Sequence, residues 1–237
     1  MKKILLGIIA LGMIVVTGCQ NSLTSYRPNS SSPKGKYVIC DGSKFSWKDV
    51  TNPTTGKTWM DRNLGARQVA TNSTDSLAYG DLYQWGRGAD GHQCRNSDTT
   101  SSLSNGDNPG HGDFITKSSS PYDWRSLQND SLWQGVDGIN NPCPTGYRLP
   151  TKTEWEEEVK TWTSRSADGA YGSVLKLSKA GYHNNGSGSL DAIGTYGVYW
   201  SSTVRGKYAE PLFFDSREAY VPTNFRANGL SVRCIKD

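Results

Sequence analysis

Apolar residues fall in short pieces along most of this 237-residue chain, and one stretch departs from that habit. After Thr151, the residues Trp155, Val159 and Trp162 recur at i, i+4 and i+7, one apolar stripe on a helix. Thr151 is a good N-cap residue and Glu154 stands three positions on, so each side chain can satisfy the other's free backbone N–H in a capping box. Glu156, Glu157 and Lys160 then fall on the water-facing side. Elsewhere the apolar pieces at 57–61, 174–177, 197–201, 212–214 and 230–235 are four to six residues or fewer and are separated by glycine or turn residues. That spacing predicts hairpins in an antiparallel sheet, while 82–85 is too short to tell a strand from a helix end. Residues 86–133 are dense in Gly, Asn, Asp, Ser and Pro, and predict a long irregular insertion that is functional or partly mobile. One clear helix among many short strands predicts an α+β domain of high loop content.

The first residues bear on location. Lys2 and Lys3 precede an apolar run over 4–16, shorter than the roughly 20 residues a membrane-spanning helix needs. Gly18 and Cys19 close it, so residues 1–18 read as a cleaved signal. The run ending in Cys19 resembles the lipobox of bacterial lipoproteins, which implies acylation of Cys19 with palmitate-type chains and a membrane partner through that anchor. Gln20 is not the aspartate that retains such proteins at the inner membrane, so the outer membrane or cell surface is expected. Residues 19–35 have the composition of a flexible tether. Residues 36–237 suffice for one sizeable core.

Composition narrows the rest. The formal charge of +4 becomes +2 without Lys2 and Lys3, and the signs are interspersed, which argues against a nucleic-acid partner. With 8 Trp and 12 Tyr, rings are expected to fill the core. Beyond Cys19, the four cysteines Cys40, Cys94, Cys143 and Cys234 favour disulfides in an oxidising compartment. Cys143 precedes the helix and Cys234 lies in the last strand, so that pair is expected to tie the terminus to the core, leaving Cys40 with Cys94. No two cysteines stand at C-x-x-C spacing, and no metal or cofactor is expected.

Five motifs carry a family resemblance: Asp61 to Ala66, Ala78 to Arg87, Cys143 to Thr151, Tyr199 to Thr203, and Ser231 to Asp237. In this order they resemble the Fibrobacter succinogenes major paralogous domain, over about residues 36–237. The segment Tyr147 to Trp155 is similar, more distantly, to formylglycine-generating enzyme, which implies a C-type-lectin-like fold with a small antiparallel sheet and flanking helices. That enzyme's chemistry needs two reactive cysteines near the C-terminal end, and Cys234 stands alone there. Glu210, Pro211 and Leu212 begin like a calcium-lectin sugar motif and then lose the amide ligand. Residues 199–237 further resemble the variable region of retroelement-diversified binding proteins. That resemblance implies a framework carrying a displayed set: Arg205, Lys207, Tyr208, Glu210, Asp215, Arg217, Glu218, Tyr220, Asn224, Phe225 and Asn228.

The displayed set has the residue mix that recognition loops favour, with large rings of low rotamer entropy beside adaptable polar groups. By contrast, His92, His111 and His183 sit in Gly- or Asn-rich stretches without a triad or metal spacing, and Glu156, Glu157 and Glu158 are consecutive and point apart on a helix. Asp107 and Asp113 lie in an oxygen-rich loop that lacks the final Glu of an EF-hand. The expectation is therefore a non-enzymatic, lipid-anchored protein that binds an extracellular protein or glycan. A structural or adhesive subunit of a surface assembly is the first alternative, and a divergent formylglycine-generating-type enzyme the second. Replacing Cys19 with Ala is expected to abolish fatty-acid labelling and release the protein from the membrane fraction; labelling that persists in the variant would refute the anchor.

Overall fold

The tryptophan stripe does form a helix, α1 (Lys152–Lys160), capped by both halves of the Thr151–Glu154 capping box. The computed structural model describes Cys40, Gly42 and residues 45–237, so the signal 1–18, Cys19 and the tether 19–35 lie outside the described residues. Trp155, Val159 and Trp162 are buried as the stripe requires. Glu158 is buried as well, because its carboxylate accepts Asn52 Nδ2 at 2.6 Å and Trp162 Nε1 at 3.1 Å. The buried face of α1 is thus wider than the apolar stripe. A shorter helix, α2 (Ala167–Gly172), follows.

The described residues form several small sheets, nearly all antiparallel, joined by long loops: an α+β or mostly β, loop-rich domain. One sheet runs in the order β1 (Asp49–Thr51), β2 (Thr58–Met60), β16 (Ile235–Lys236) and β6 (Tyr147–Arg148). The last strand of the chain is therefore clamped between two early ones, with Ile235 opposite both Trp59 and Arg148. A second sheet orders β3 (Tyr83–Gln84), β15 (Gly229–Leu230), β7 (Tyr182–His183) and β8 (Leu190–Asp191). A third places β12 (Leu212–Phe214) between β9 (Gly197–Tyr199) and β13 (Ala219–Tyr220), and a fourth places β11 (Tyr208–Ala209) between β10 (Val204–Arg205) and β14 (Asn224–Phe225).

Three expectations about elements change. Residues 174–177 form a turn and irregular chain rather than a strand; Leu175 and Leu177 pack into the core, which explains their apolar character. The run 230–235 is split, because Ser231 to Cys234 bond to separate partners instead of one neighbouring strand: Trp200 N reaches Ser231 O, Leu64 N reaches Val232 O and Met60 N reaches Cys234 O. The insertion 86–133, expected as irregular chain, contributes strand and core. It holds a parallel pair, β4 (Thr99–Thr100) with β5 (Phe114–Ile115), and buries Phe114, Ile115, Trp124 and Trp133 completely.

Two apolar clusters fill the domain. One gathers Trp85, Trp124, Trp133, Trp200, Leu149 and Val232 with the Cys143 and Cys234 side chains. The other packs Trp59, Trp155 and Trp162 against Tyr199, Leu212 and Phe214. Both expected disulfides are present, Cys143–Cys234 and Cys40–Cys94. Trp200 is fully buried and its indole N–H donates to Tyr83 O at 2.6 Å. Trp200→Ala is accordingly expected to cost roughly 3–5 kcal/mol in urea denaturation; a loss below about 1 kcal/mol would remove Trp200 from the core.

Candidate ligand-binding surface

The residues expected on display divide by sheet. The β10–β11 hairpin closes with Arg205 opposite Tyr208, leaving Gly206 and Lys207 as a two-residue turn. Gly206 has φ +56°, a conformation that suits glycine at the first position of such a turn. β11 then pairs with β14, placing Tyr208 opposite Phe225 and Ala209 opposite Asn224. Arg205, Lys207, Tyr208, Asn224 and Phe225 therefore share one three-stranded sheet, the first two exposed and the other three half-buried.

On that sheet the rings form a continuous platform. Phe225 stacks on Tyr122 at 4.4 Å between centroids, nearly parallel at 12°, and lies 5.5 Å from Tyr208. Lys207 Nζ stands 4.7 Å from the Tyr122 ring centroid and 5.5 Å from that of Tyr208. Cation–π attraction at these distances keeps the ammonium against the ring faces. Tyr122 was not anticipated, since it comes from the insertion. Its φ of +60° is uncommon for a tyrosine, and the conformation is held where Ala227 N donates to Tyr122 O at 3.1 Å. The sequence signal for it was faint: an aromatic residue directly after Pro121 in a polar loop.

Buried polar groups fix this surface from below. The fully buried Arg226 lies 4.7 Å from the Trp85 ring centroid and donates through Nη2 to Gly206 O at 2.7 Å and to Asp130 at 2.6 Å. Gln128 Nε2 donates to Lys207 O at 3.0 Å. The turn that presents Lys207 is thus bonded on both of its central carbonyls. Asp123, only 2% exposed, lies 4.0 Å from Arg226 Nη1. Burial raises its carboxyl to about 6, against the pull of the Arg125 backbone N–H and of Arg226.

The other positions are placed differently. Arg217, Glu218 and Tyr220 are exposed on the β12–β13 hairpin, a separate sheet. Tyr220 packs 5.2 Å from Phe213 and borders a cavity of about 320 Å³ with Val159 and Arg165. Glu210, Asp215 and Asn228 are buried, contrary to their expected display. Glu210 accepts Lys152 Nζ at 3.1 Å and so links β11 to the start of α1. Asp215 accepts the backbone N–H groups of Arg217 and Glu218 at 2.7 and 3.0 Å, and these bonds lower its carboxyl. Asn228 accepts Asn185 N at 2.8 Å and donates to Asn224 at 2.6 Å. Asp215 closes its turn and Asn228 orients Asn224, while Glu210 ties its strand to the helix, so polar residues in this stretch serve the framework as well as the surface.

Two of the three histidines, His92 and His183, are buried. His92 is fully buried, with Nδ1 2.7 Å from Asp90 and Nε2 accepting Gln84 N at 3.0 Å. Burial, with Arg87 beside it, lowers the His92 imidazole to about 4, so it is neutral at pH 7. Burial raises Asp90, but His92 and the Arg87 guanidinium outweigh it and hold the carboxyl at about 2. His183 lies in β7 with its ring 4.1 Å from Phe114. Asp107, considered for calcium, bonds Arg125 and accepts Asn129 Nδ2 at 3.0 Å. Among the described residues no group of three or more His, Cys, Asp or Glu side chains is placed to hold a metal ion.

Comparison of the chain with protein-family models, curated proteins and solved structures gives no match. The platform is therefore interpreted from its own chemistry, and Asp123 supplies a test of how it is supported. Its pKa lies above the usual carboxylate value of 3.8, so its stabilising contribution is full below about pH 4 and is lost as pH rises through about 6. His92 has the opposite sign: its depressed value costs stability as pH falls from about 6.5 toward 4. His92 is common to wild type and an Asp123 variant, so its effect cancels in their difference. Asp123→Asn is expected to gain stability relative to wild type between about pH 4 and pH 7.5, by a swing on the order of 3 kcal/mol. Chemical denaturation at both pH values measures it; a difference independent of pH would refute the burial of an ionising carboxyl beneath the platform.

Proposed function

We propose that this protein is a lipid-anchored recognition protein of the bacterial cell surface, attached through Cys19, which takes an extracellular protein or glycan on the β10–β11–β14 sheet. The carrying observation is the platform itself: Tyr122, Phe225 and Tyr208 lie ring against ring, with Lys207 over two of them. Half-exposed rings with a cation and the flanking Arg205 and Asn224 offer both stacking area and adaptable hydrogen bonds, the combination that paratopes use. The cost of ordering these side chains is met before the ligand arrives, because they already pack on one another.

Three further features support this reading. Two disulfides suit an oxidising compartment. Small antiparallel sheets with long loops are compatible with a divergent C-type-lectin-like domain of the Fibrobacter succinogenes major paralogous type. The buried polar residues of 204–228 bond to the framework, which leaves the exposed Arg205 and Lys207 on the surface beside the rings.

Screening wild-type domain on glycan arrays and intact cells defines the ligand, after which Lys207→Glu with Tyr208→Ala is expected to weaken binding by about tenfold or more while the melting temperature moves by only a few degrees. A companion variant, Arg217→Ala with Tyr220→Ala, is expected to bind as wild type. Loss of binding in the companion alone would move the recognition surface to the β12–β13 hairpin and overturn the assignment.

A further inference from the structure

The cavities offer a second site that shares no residue with the platform. A hollow of about 310 Å³ is lined by Arg95, Arg67, Asp81, Ser76 and Asn96, with Cys40 of the Cys40–Cys94 disulfide in its wall. That volume lies at the small end of ligand pockets, enough for one sugar ring or an amino-acid-sized molecule.

Arg95 is the unusual group there. Its Nε donates to Gly80 O at 2.8 Å and its guanidinium carbon sits 5.3 Å from the Tyr79 ring centroid, yet Nη1 and Nη2 are both buried without a hydrogen-bond partner. The fully buried Arg87 and Arg233 differ, since each has partners on all three nitrogens. Arg95 is half-buried and Asp81 attracts its charge, but its buried terminal nitrogens make no hydrogen bond, and buried donors left unmade are costly. Two parallel N–H groups in a fixed plane match two acceptor oxygens in a plane, which is a carboxylate.

We propose that this cavity binds a small monocarboxylate, with its two oxygens on Nη1 and Nη2 of Arg95. Turning the guanidinium toward the hollow breaks no hydrogen bond at either terminal nitrogen, because neither makes one. Asp81 in the lining disfavours a dianion, which separates a monocarboxylate from inorganic phosphate. The Ser76 hydroxyl and Asn96 amide supply donors or acceptors for the remainder of the ligand.

The test uses the oxidised full domain with D-glucuronate, lactate and N-acetylalanine as probes, and glucose and inorganic phosphate as controls, followed by NMR titration and thermal shift. At least one carboxylate is expected to saturate with a dissociation constant in the millimolar range or tighter, about 10 mM at most, with glucose silent and phosphate weaker. Arg95→Lys keeps the charge but loses the planar fork, so binding is expected to fall by about tenfold or more. Arg95→Gln is expected to abolish both binding and the ligand-induced thermal shift, while the ligand-free melting temperature stays level, because losing two buried donors that make no bond offsets the lost attraction to Asp81. A merely structural arginine would lower that temperature instead. The proposal is overturned if no carboxylate saturates, if phosphate binds best, or if Arg95→Gln binds as wild type.

Discussion

The fold depends on one buried cation. Arg233 is 2% exposed, and its guanidinium donates to Asn63 Oδ1 through both Nε and Nη2, to Met60 O at 3.2 Å and to Leu175 O at 2.6 Å. Asn63 passes the constraint on, donating to Ala78 O, Tyr79 O and the Tyr199 hydroxyl at 3.1 to 3.2 Å. Tyr199 in turn donates to Ser178 O at 2.7 Å. Four stretches of chain far apart in sequence are thereby fixed to one charge. Burial lowers Arg233 only to about 10, so it stays protonated at neutral pH. Its neighbours must therefore supply every bond it needs, since an uncompensated charge here would cost several kcal/mol.

A second device follows from how short the strands are. Pieces of two or three residues leave many carbonyls without a ladder partner, and buried carbonyls need one. Indole N–H groups provide several of those bonds. Trp85 donates to Ser201 O, Trp124 to Trp85 O, Trp155 to Trp200 O, Trp200 to Tyr83 O and Trp133 to Asn140 O, all between 2.6 and 3.1 Å. A phenylalanine could fill much of that volume but would donate nothing. The high tryptophan content is thus a consequence of loop content: in this domain rings both fill the core and close its backbone bonds.

What was legible in the sequence was local or counted in pairs. The capping box and the stripe of Trp155, Val159 and Trp162 depend on neighbours within one or two turns, so spacing alone revealed them. The cysteine pairing followed from position relative to the helix and the last strand. Burial of Arg87, Arg226, Arg233 and Glu158 was not legible, because composition treats charge as surface and their partners are distant. For the same reason the insertion 86–133 showed no core in the sequence: its Gly, Asn and Asp residues concealed Trp124 and Trp133, whose partners are backbone carbonyls. The displayed set was only partly legible. Strands of two residues give alternation too little length to assign a face, so Glu210, Asp215 and Asn228 could not be told from their exposed neighbours.

The division between what presents the platform and what forms it has a functional consequence. The turn bearing Lys207 is held through its backbone carbonyls, by Arg226 on Gly206 and by Gln128 on Lys207 itself. The side chains of Arg205, Lys207 and Tyr208 take no part in those bonds. The chemistry of the exposed Arg205 and Lys207 can change while the turn, the strand register and Arg226 stay in place, because exposed substitutions usually alter stability by less than about 0.5 kcal/mol. Asn224 and Phe225 are less free, being oriented by Asn228 and stacked on Tyr122. If the platform is the recognition surface proposed above, a fixed aromatic floor with a replaceable cationic rim lets ligand preference change at the rim without rebuilding the site.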